Sequence, residues 1–152
     1  MNYEKYESVS SSRDSLEFEF TSIGSKGKFK KVVQFTQTSD SEIYNLGFGD
    51  KLENGEIDDL VRSDNGDRNK ILATIVAIIY EFTSSYQDKL IFFSGSTEYR
   101  TRLYRMAISK NLEELNEDFE IFGINYLDGD YVSEVFKKGA DYTGFIIKRK
   151  IH

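Results

Sequence analysis

Residues 88–108 read Asp-Lys-Leu-Ile-Phe-Phe-Ser-Gly-Ser-Thr-Glu-Tyr-Arg-Thr-Arg-Leu-Tyr-Arg-Met-Ala-Ile and combine an apolar run, a small polar group and a helical pattern. The apolar residues 90–93 predict a buried strand, the small polar residues 94–97 predict a tight turn, and the residues that follow have helical spacing. A helix that starts this way can bind anions, because the amide hydrogens of its first turn lack helical partners and its dipole favours negative charge there. The stretch therefore predicts a strand, a helix and a place for a ligand between them.

Upstream, the pattern predicts three strands. Leu16, Phe18 and Phe20 alternate with polar residues, which is typical of a strand with one wet face. The glycines at 24 and 27 supply a hairpin turn, and residues 29–35 and 43–48 continue as the second and third strands. Strands joined by short turns in this way predict an antiparallel meander.

A long acidic loop, residues 49–66, leads from the meander to a helix. Asp67 is a favourable N-cap residue, so we predict a helix from Arg68 to about residue 86. Its apolar residues recur at helical spacing and form the predicted buried stripe: Ile71, Ile75, Ile78, Ile79 and Phe82. In the later helix after residue 97, the same spacing predicts an inward face: Tyr99, Leu103, Met106 and Ala107.

Downstream, Asn111 with Glu114 predicts a capping box that opens a short helix. Strands are predicted at 119–124, 131–136 and 143–148, with a hairpin turn at Asp128-Gly129. The strand at 90–93 must lie parallel to the third meander strand, because a helix separates the two. We therefore predict an α/β fold close to the α+β border, a mixed sheet with helices packed on it.

Length and composition predict one domain. Residues 1–15 are polar and Ser-rich, so we expect a flexible N-terminal arm unless a tyrosine docks on the body, and residues 16–152 are predicted to form a single globular domain. The longest apolar run, 71–80, is about half of the roughly 20 residues that a membrane helix needs. With no cysteine and no apolar leader, we expect a cytoplasmic protein without a membrane partner.

The chemistry that the sequence excludes is informative. Acidic residues outnumber basic ones by 26 to 20, and the net charge of −6 disfavours nucleic acid as a partner. The single histidine is His152, so a histidine-based triad and a zinc cluster are excluded. We predict no cofactor, no metal site and no catalytic residue, and favour a protein that is not an enzyme.

The two helix starts are predicted to open toward the same rim of the sheet, at the carboxyl ends of the upward strands, where α/β sheets most often bind ligands. Backbone amides and guanidinium groups there suit phosphate or carboxylate. The predicted ligand-binding residues are Asn65, Gly66, Asp67, Arg68, Ser94, Gly95, Ser96, Thr97, Arg100 and Arg102.

Several interpretations stay open at this point. The turn at 94–97 can be an ordinary helix cap, and the arginines can be a solvated helix face. The first functional hypothesis is a binding domain for a phosphate-bearing ligand, a nucleic acid or a protein partner. The alternatives are a metal-dependent phosphodiesterase that uses the acidic loop, and an antitoxin-like or immunity-like partner protein.

The order of elements over residues 16–108 resembles the ribonuclease-H-like fold. Enzymes of that fold hold magnesium with carboxylates on the first strand, the first helix and the end of the fourth strand. Glu17 or Glu19 and Glu81 match the first two positions, but the fourth strand here ends in Phe93-Ser94. The resemblance therefore implies a topology without the acidic active site.

A second resemblance covers nearly the whole chain and is to a family of small bacterial proteins of unknown function. The segments that carry it are Tyr44-Asn45-Leu46-Gly47-Phe48-Gly49-Asp50, Asp64-Asn65-Gly66-Asp67, Leu72-Ala73-Thr74, Gly95-Ser96-Thr97 with Arg100, Arg102, Leu103 and Tyr104, and Lys138-Gly139. This family implies no activity.

Overall fold

The computed structural model describes residues 4–54, 56–58, 65–95 and 97–150, with the backbone alone at 57 and 58. The strands are β1 (Ser10–Ser11), β2 (Glu17–Gly24), β3 (Gly27–Gln37), β4 (Ile43–Lys51), β5 (Ile57–Asp58), β6 (Leu90–Phe93), β7 (Phe119–Leu127), β8 (Asp130–Val135) and β9 (Gly144–Arg149). The helices are α1 (Arg68–Ser85), α2 (Glu98–Lys110) and α3 (Leu112–Asp118). The predicted order of elements and the α/β class with a mixed sheet are confirmed.

The chain divides into two compact units, and the single domain expected over residues 16–152 stays a prediction. The first unit comprises Met1–Thr36 and Leu46–Tyr86, and the second comprises Gln37–Asn45 and Gln87–His152. Strand β4 contributes its first residues to the second unit and the rest to the first unit.

In the first unit the strands are ordered β1-β2-β3-β4, with β5 beside β4. The meander is antiparallel, as predicted, and Phe18 lies opposite Val33. Helix α1 packs on these strands by its predicted stripe: Phe82 is buried and stacks on Phe35 with ring centroids 4.0 Å apart. The apolar residues at helical spacing in α1 and the alternating apolar residues of the strands therefore form one core.

The segment predicted to be a flexible arm includes two ordered features. Tyr6 is 9% exposed and stacks on Phe20 at 5.6 Å. Ser10 and Ser11 pair with Glu19 and Phe18 of β2. A flexible arm was expected unless a tyrosine docks on the body. Tyr6 docks in this way, and residues 4–15 include a paired strand.

In the second unit the strand order is β4-β6-β9-β7-β8. Strand β6 pairs parallel to β4, as predicted, with Tyr44 opposite Ile91, and the other neighbours are antiparallel. Asp128 and Gly129 have φ of 51° and 86°, which confirms the predicted hairpin turn between β7 and β8. One face of this sheet carries Ile91, Phe93, Phe145 and Ile147, all buried.

Two local predictions in the helices of the second unit are wrong. Met106 is 55% exposed, because the inward face of α2 instead follows Tyr104, which contacts Phe93 at 5.7 Å, and the buried Ile108. Asn111 makes no capping hydrogen bond to α3 and instead donates from Nδ2 to the carbonyl of Ala107 at 2.8 Å. The side chain that was predicted to open α3 therefore closes α2.

Candidate functional site

The predicted ligand-binding residues fall into two groups. Asn65 to Arg68 lie at the start of α1 in the first unit, while Ser94, Gly95, Thr97, Arg100 and Arg102 lie at the start of α2 in the second unit. Ser96 lies outside the described residues. That the two helix starts share one rim stays a prediction.

At the start of α1, Asn65 is bound to the β2–β3 hairpin. Its Nδ2 donates to the carbonyl of Gly27 at 2.8 Å and to Ser22 Oγ at 3.2 Å, and its Oδ1 accepts from the amide of Lys26 at 2.7 Å. The residue is 3% exposed. Because these bonds use both ends of the carboxamide, Asn65 fixes the hairpin to the chain that enters α1.

Asp67 precedes α1 as predicted, but its side chain does not cap the helix. Its Oδ2 accepts hydrogen bonds from the Tyr6 hydroxyl and from Ser22 Oγ, the latter at 2.6 Å. The predicted cap bond is therefore wrong, because the carboxylate turns to long-range donors. Its Oδ1 is buried and accepts no hydrogen bond from the described residues.

Tyr6 joins the N-terminal segment to this carboxylate. Its hydroxyl also accepts from the amide of Ile23 at 2.9 Å, and its own amide donates to Thr74 Oγ1 at 2.9 Å. Burial, and then the hydrogen bond to Asp67, raise the pKa of Tyr6 above its ordinary value of 10.0. The phenol therefore stays protonated at neutral pH and acts as a donor.

We expect Tyr6→Phe to lower the free energy of unfolding by about 2 kcal/mol at neutral pH, because a hydrogen bond to a charged acceptor is lost. A raised pKa means that the stability from Tyr6 is fully present below the ordinary value of 10.0 and is lost as pH rises through the raised pKa. Tyr6→Phe should therefore lose less stability than the wild type on going from about pH 9 to pH 11. Urea unfolding at both pH values measures this.

The control is Tyr126→Phe, since Tyr126 is exposed. It should match the wild type at both pH values. Equal alkaline losses in the wild type and in Tyr6→Phe would contradict the role assigned to the Tyr6 hydroxyl.

At the start of α2, threonine hydroxyl oxygens of the same chain accept hydrogen bonds from two of the backbone amides that are predicted to hold an anion. Thr97 caps the helix, and its Oγ1 accepts from the amide of Arg100 at 3.2 Å. The Gly95 amide donates to Thr101 Oγ1 at 3.0 Å. Thr101 is absent from the predicted set, although a threonine four residues after an N-cap threonine is placed to face the same turn. A ligand here would have to use other groups.

A cleft of about 530 Å³ lies beside this turn, entirely within the second unit, and is called the α2 cleft here. It brings together three predicted residues, Gly95, Thr97 and Arg102. Arg100 is not among its lining residues. The lining residues that were not predicted are Glu98, Thr101, Arg105, Asn125, Asp141, Tyr142 and Thr143.

The far wall of the α2 cleft comes from β7 and from the residues before β9. Ile124 lies opposite Gly144, which brings Asn125 next to residues 141–143. Asn125 Nδ2 donates to the carbonyl of Asp141 at 3.0 Å, and its Oδ1 accepts from the amide of Thr143 at 3.2 Å. These bonds hold the wall in place.

The charges of the α2 cleft are mixed. Arg105 forms an ion pair with Asp141, and Glu98 adds a second carboxylate. Arg102 is exposed and takes part in no salt bridge with the residues that the structure describes. The cleft therefore offers an accessible guanidinium beside two carboxylates.

Tyr142 lines the α2 cleft, but its hydroxyl is hydrogen-bonded to Glu134 and Lys137, which do not line it. Its hydroxyl donates to Glu134 Oε1 at 2.7 Å and accepts from the amide of Lys137 at 3.1 Å. Burial, and then the bond to Glu134, raise the pKa of Tyr142, while the same bond lowers the pKa of Glu134. Tyr142 is thus protonated at neutral pH and is not a general base.

The acidic loop was the predicted place for a metal in the phosphodiesterase alternative. Asp59 and Asp64 and the side chain of Asp58 lie outside the described residues. Among the residues that are described, no three or more His, Cys, Asp or Glu side chains lie close enough together to hold a metal ion. In the same part of the chain, no helix is both long and apolar enough to cross a membrane.

No curated protein and no solved structure matches this chain. The likeness to the ribonuclease-H-like fold therefore stays a resemblance in the order of elements. A family model, described as a family of unknown function (DUF6934), matches residues 2–150. This match confirms the predicted resemblance to a family without an assigned activity, and the chain belongs to that family.

Proposed function

We propose that this protein is a cytoplasmic binding domain whose α2 cleft takes a small phosphate-bearing ligand, most simply a nucleotide. The observation that carries the proposal is the position of Arg102, an exposed guanidinium on the wall of a 530 Å³ cleft. Guanidinium groups bind phosphate in a two-pronged geometry, and clefts of about 300–1,000 Å³ hold small ligands. The absence of cysteine supports the cytoplasmic assignment.

The mixed charge of the cleft selects among phosphate compounds. Glu98 and the Asp141 carboxylate repel a ligand that is anionic throughout, such as free phosphate. A nucleotide carries hydrogen-bond donors on its base and sugar that can face these carboxylates while its phosphate faces Arg102. The ligand therefore has one anionic end and one donor-rich end.

A single nucleotide suits this cleft better than a nucleic acid. Binding a strand needs a continuous basic groove that follows the backbone. The net charge of −6 and the two carboxylates in the cleft oppose a long polyanion.

Arg102→Ala should weaken nucleotide binding about tenfold or more, because a charge-assisted hydrogen bond to phosphate is removed. Arg100→Ala is the matched control: it removes the same charge from the same helix, but Arg100 does not line the cleft. Isothermal titration with mononucleotides, inorganic phosphate and a short oligonucleotide measures the affinities.

We expect the wild type to bind a nucleotide and Arg102→Ala to bind it more weakly. The affinity of Arg100→Ala should stay within about twofold of the wild-type affinity. Glu98→Gln should raise the affinity for inorganic phosphate, since a carboxylate is neutralised. Absence of binding to every probe would overturn the proposal. Hydrolysis of a phosphodiester that requires added magnesium would instead support the phosphodiesterase alternative.

A further inference from the structure

The β7–β8 hairpin presents an exposed apolar surface. All six residues of β8 are exposed, and Tyr131 and Val135 are 75% and 68% exposed. Both point to the same face as Tyr126, which lies opposite Tyr131 with ring centroids 5.1 Å apart. Among the described strands, β8 pairs with β7 alone.

The outer edge of β8 carries backbone groups that β7 does not use. The amide of Phe136 donates to the carbonyl of Ile121, so the alternation of an antiparallel ladder directs the even-numbered residues of β8 toward β7. The N–H and C=O groups of Tyr131, Ser133 and Val135 therefore point away from β7. An exposed apolar edge of this kind is a template for another strand.

Charge selects how a second copy of this strand could pair with it. In an antiparallel pair, two opposite residues either both direct their N–H and C=O groups toward the partner strand or both direct them away from it. Two copies of the same strand meet this condition only when one residue lies opposite its own copy. Pairing centred on Val132 sets Asp130 against Glu134, and pairing centred on Glu134 sets that carboxylate against its own copy. Like charges directly opposite are destabilising.

Pairing centred on Ser133 avoids both repulsions. It sets Tyr131 opposite Val135 twice, an aromatic and β-branched combination that stabilises sheets. It also sets Val132 opposite Glu134, so no carboxylate within β8 faces another. The most exposed apolar side chains of β8 thus face each other in one register, and its carboxylates do not.

We propose that β8 is a self-association surface, at which two copies of this chain pair antiparallel about Ser133. The occupant is a second copy because, in this register, the exposed Tyr131 and Val135 of the two strands face each other and the carboxylates of β8 stay apart. The proposal concerns a surface separate from the α2 cleft and does not depend on ligand binding there.

Sedimentation of the full chain between about 1 and 500 µM tests it, and we expect a monomer–dimer equilibrium in this range. Tyr131→Lys should weaken the dimer at least about tenfold, whereas Met106→Lys, which replaces another exposed apolar residue, should leave it unchanged. Ser133→Pro should also abolish the dimer, since its amide points away from β7 and is needed only by the second copy.

The register has its own test. In the double variant Tyr131→Lys/Val135→Glu, the new lysine of each copy faces the new glutamate of the other, so the dimer should recover to within about threefold of the wild type. Equal urea midpoints for the variants show that each one folds. A monomer at all concentrations, a dimer that tolerates Tyr131→Lys, or a double variant without recovery would overturn the proposal.

Discussion

Asp50→Ala should lower the free energy of unfolding by about 3–5 kcal/mol, because it removes the carboxylate that forms an ion pair with the buried Lys31. Lys31 and Asp50 form an ion pair inside the first unit, and they are 3% and 9% exposed. Lys31 lies opposite Phe20 in the β2–β3 ladder and above the ring of Phe29 at 5.8 Å, so its ammonium group has an apolar setting. Urea unfolding followed by circular dichroism measures the loss.

Two comparisons isolate the buried charge as the cause. In Lys31→Met/Asp50→Leu both charges are absent, so the double variant should be close to the wild type in stability or above it. Glu19→Gln affects the more exposed Lys51–Glu19 pair on the same strands, with side chains 29% and 24% exposed, and should cost much less than Asp50→Ala. If Asp50→Ala and Glu19→Gln cost the same, burial does not set the energy of the Lys31 pair.

The order of the elements was predictable because hydrophobic periodicity is a local property. The alternation at Phe18 and Phe20 and the run at 90–93 each mark a strand whatever lies elsewhere in the chain. In β3, Phe29, Lys31, Val33 and Phe35 share one phase of the alternation, so the pattern places a lysine on the buried face.

The candidate site was only half predictable, because its second wall depends on pairing between distant segments. Thr97 and Arg102 belong to a visible strand–turn–helix pattern, whereas Asn125 and Asp141 reach the cleft through the pairing of β7 with β9. At Asp67 the local pattern gives the wrong hydrogen-bond partner. Its local pattern predicted a helix cap, but tertiary donors that are remote in sequence bind its carboxylate instead.

Gly95, in the turn between β6 and α2, has no space for a larger residue. A Cβ atom on Gly95 would lie 2.3 Å from the Thr101 nitrogen and 2.5 Å from the Arg100 Cβ. These contacts are to the helix at its backbone and first side-chain carbon, so no change of side-chain rotamer relieves them. Gly95→Ala should therefore force α2 away from the end of β6.

We expect Gly95→Ala to cost about 3 kcal/mol or more in the free energy of unfolding, at or above the upper end of the usual cost of overpacking. It should also break the bond from the Gly95 amide to Thr101 Oγ1, which fixes the near wall of the α2 cleft. The matched control is Gly47→Ala in β4, where the nearest atom to an added Cβ is the Gln34 carbonyl oxygen at 3.9 Å. That variant should be as stable as the wild type or slightly more stable, because alanine restricts the unfolded chain. Similar losses in the two variants would mean that glycine in this chain is needed for flexibility and not for the close approach of α2, and Gly95 would then have no part in shaping the cleft.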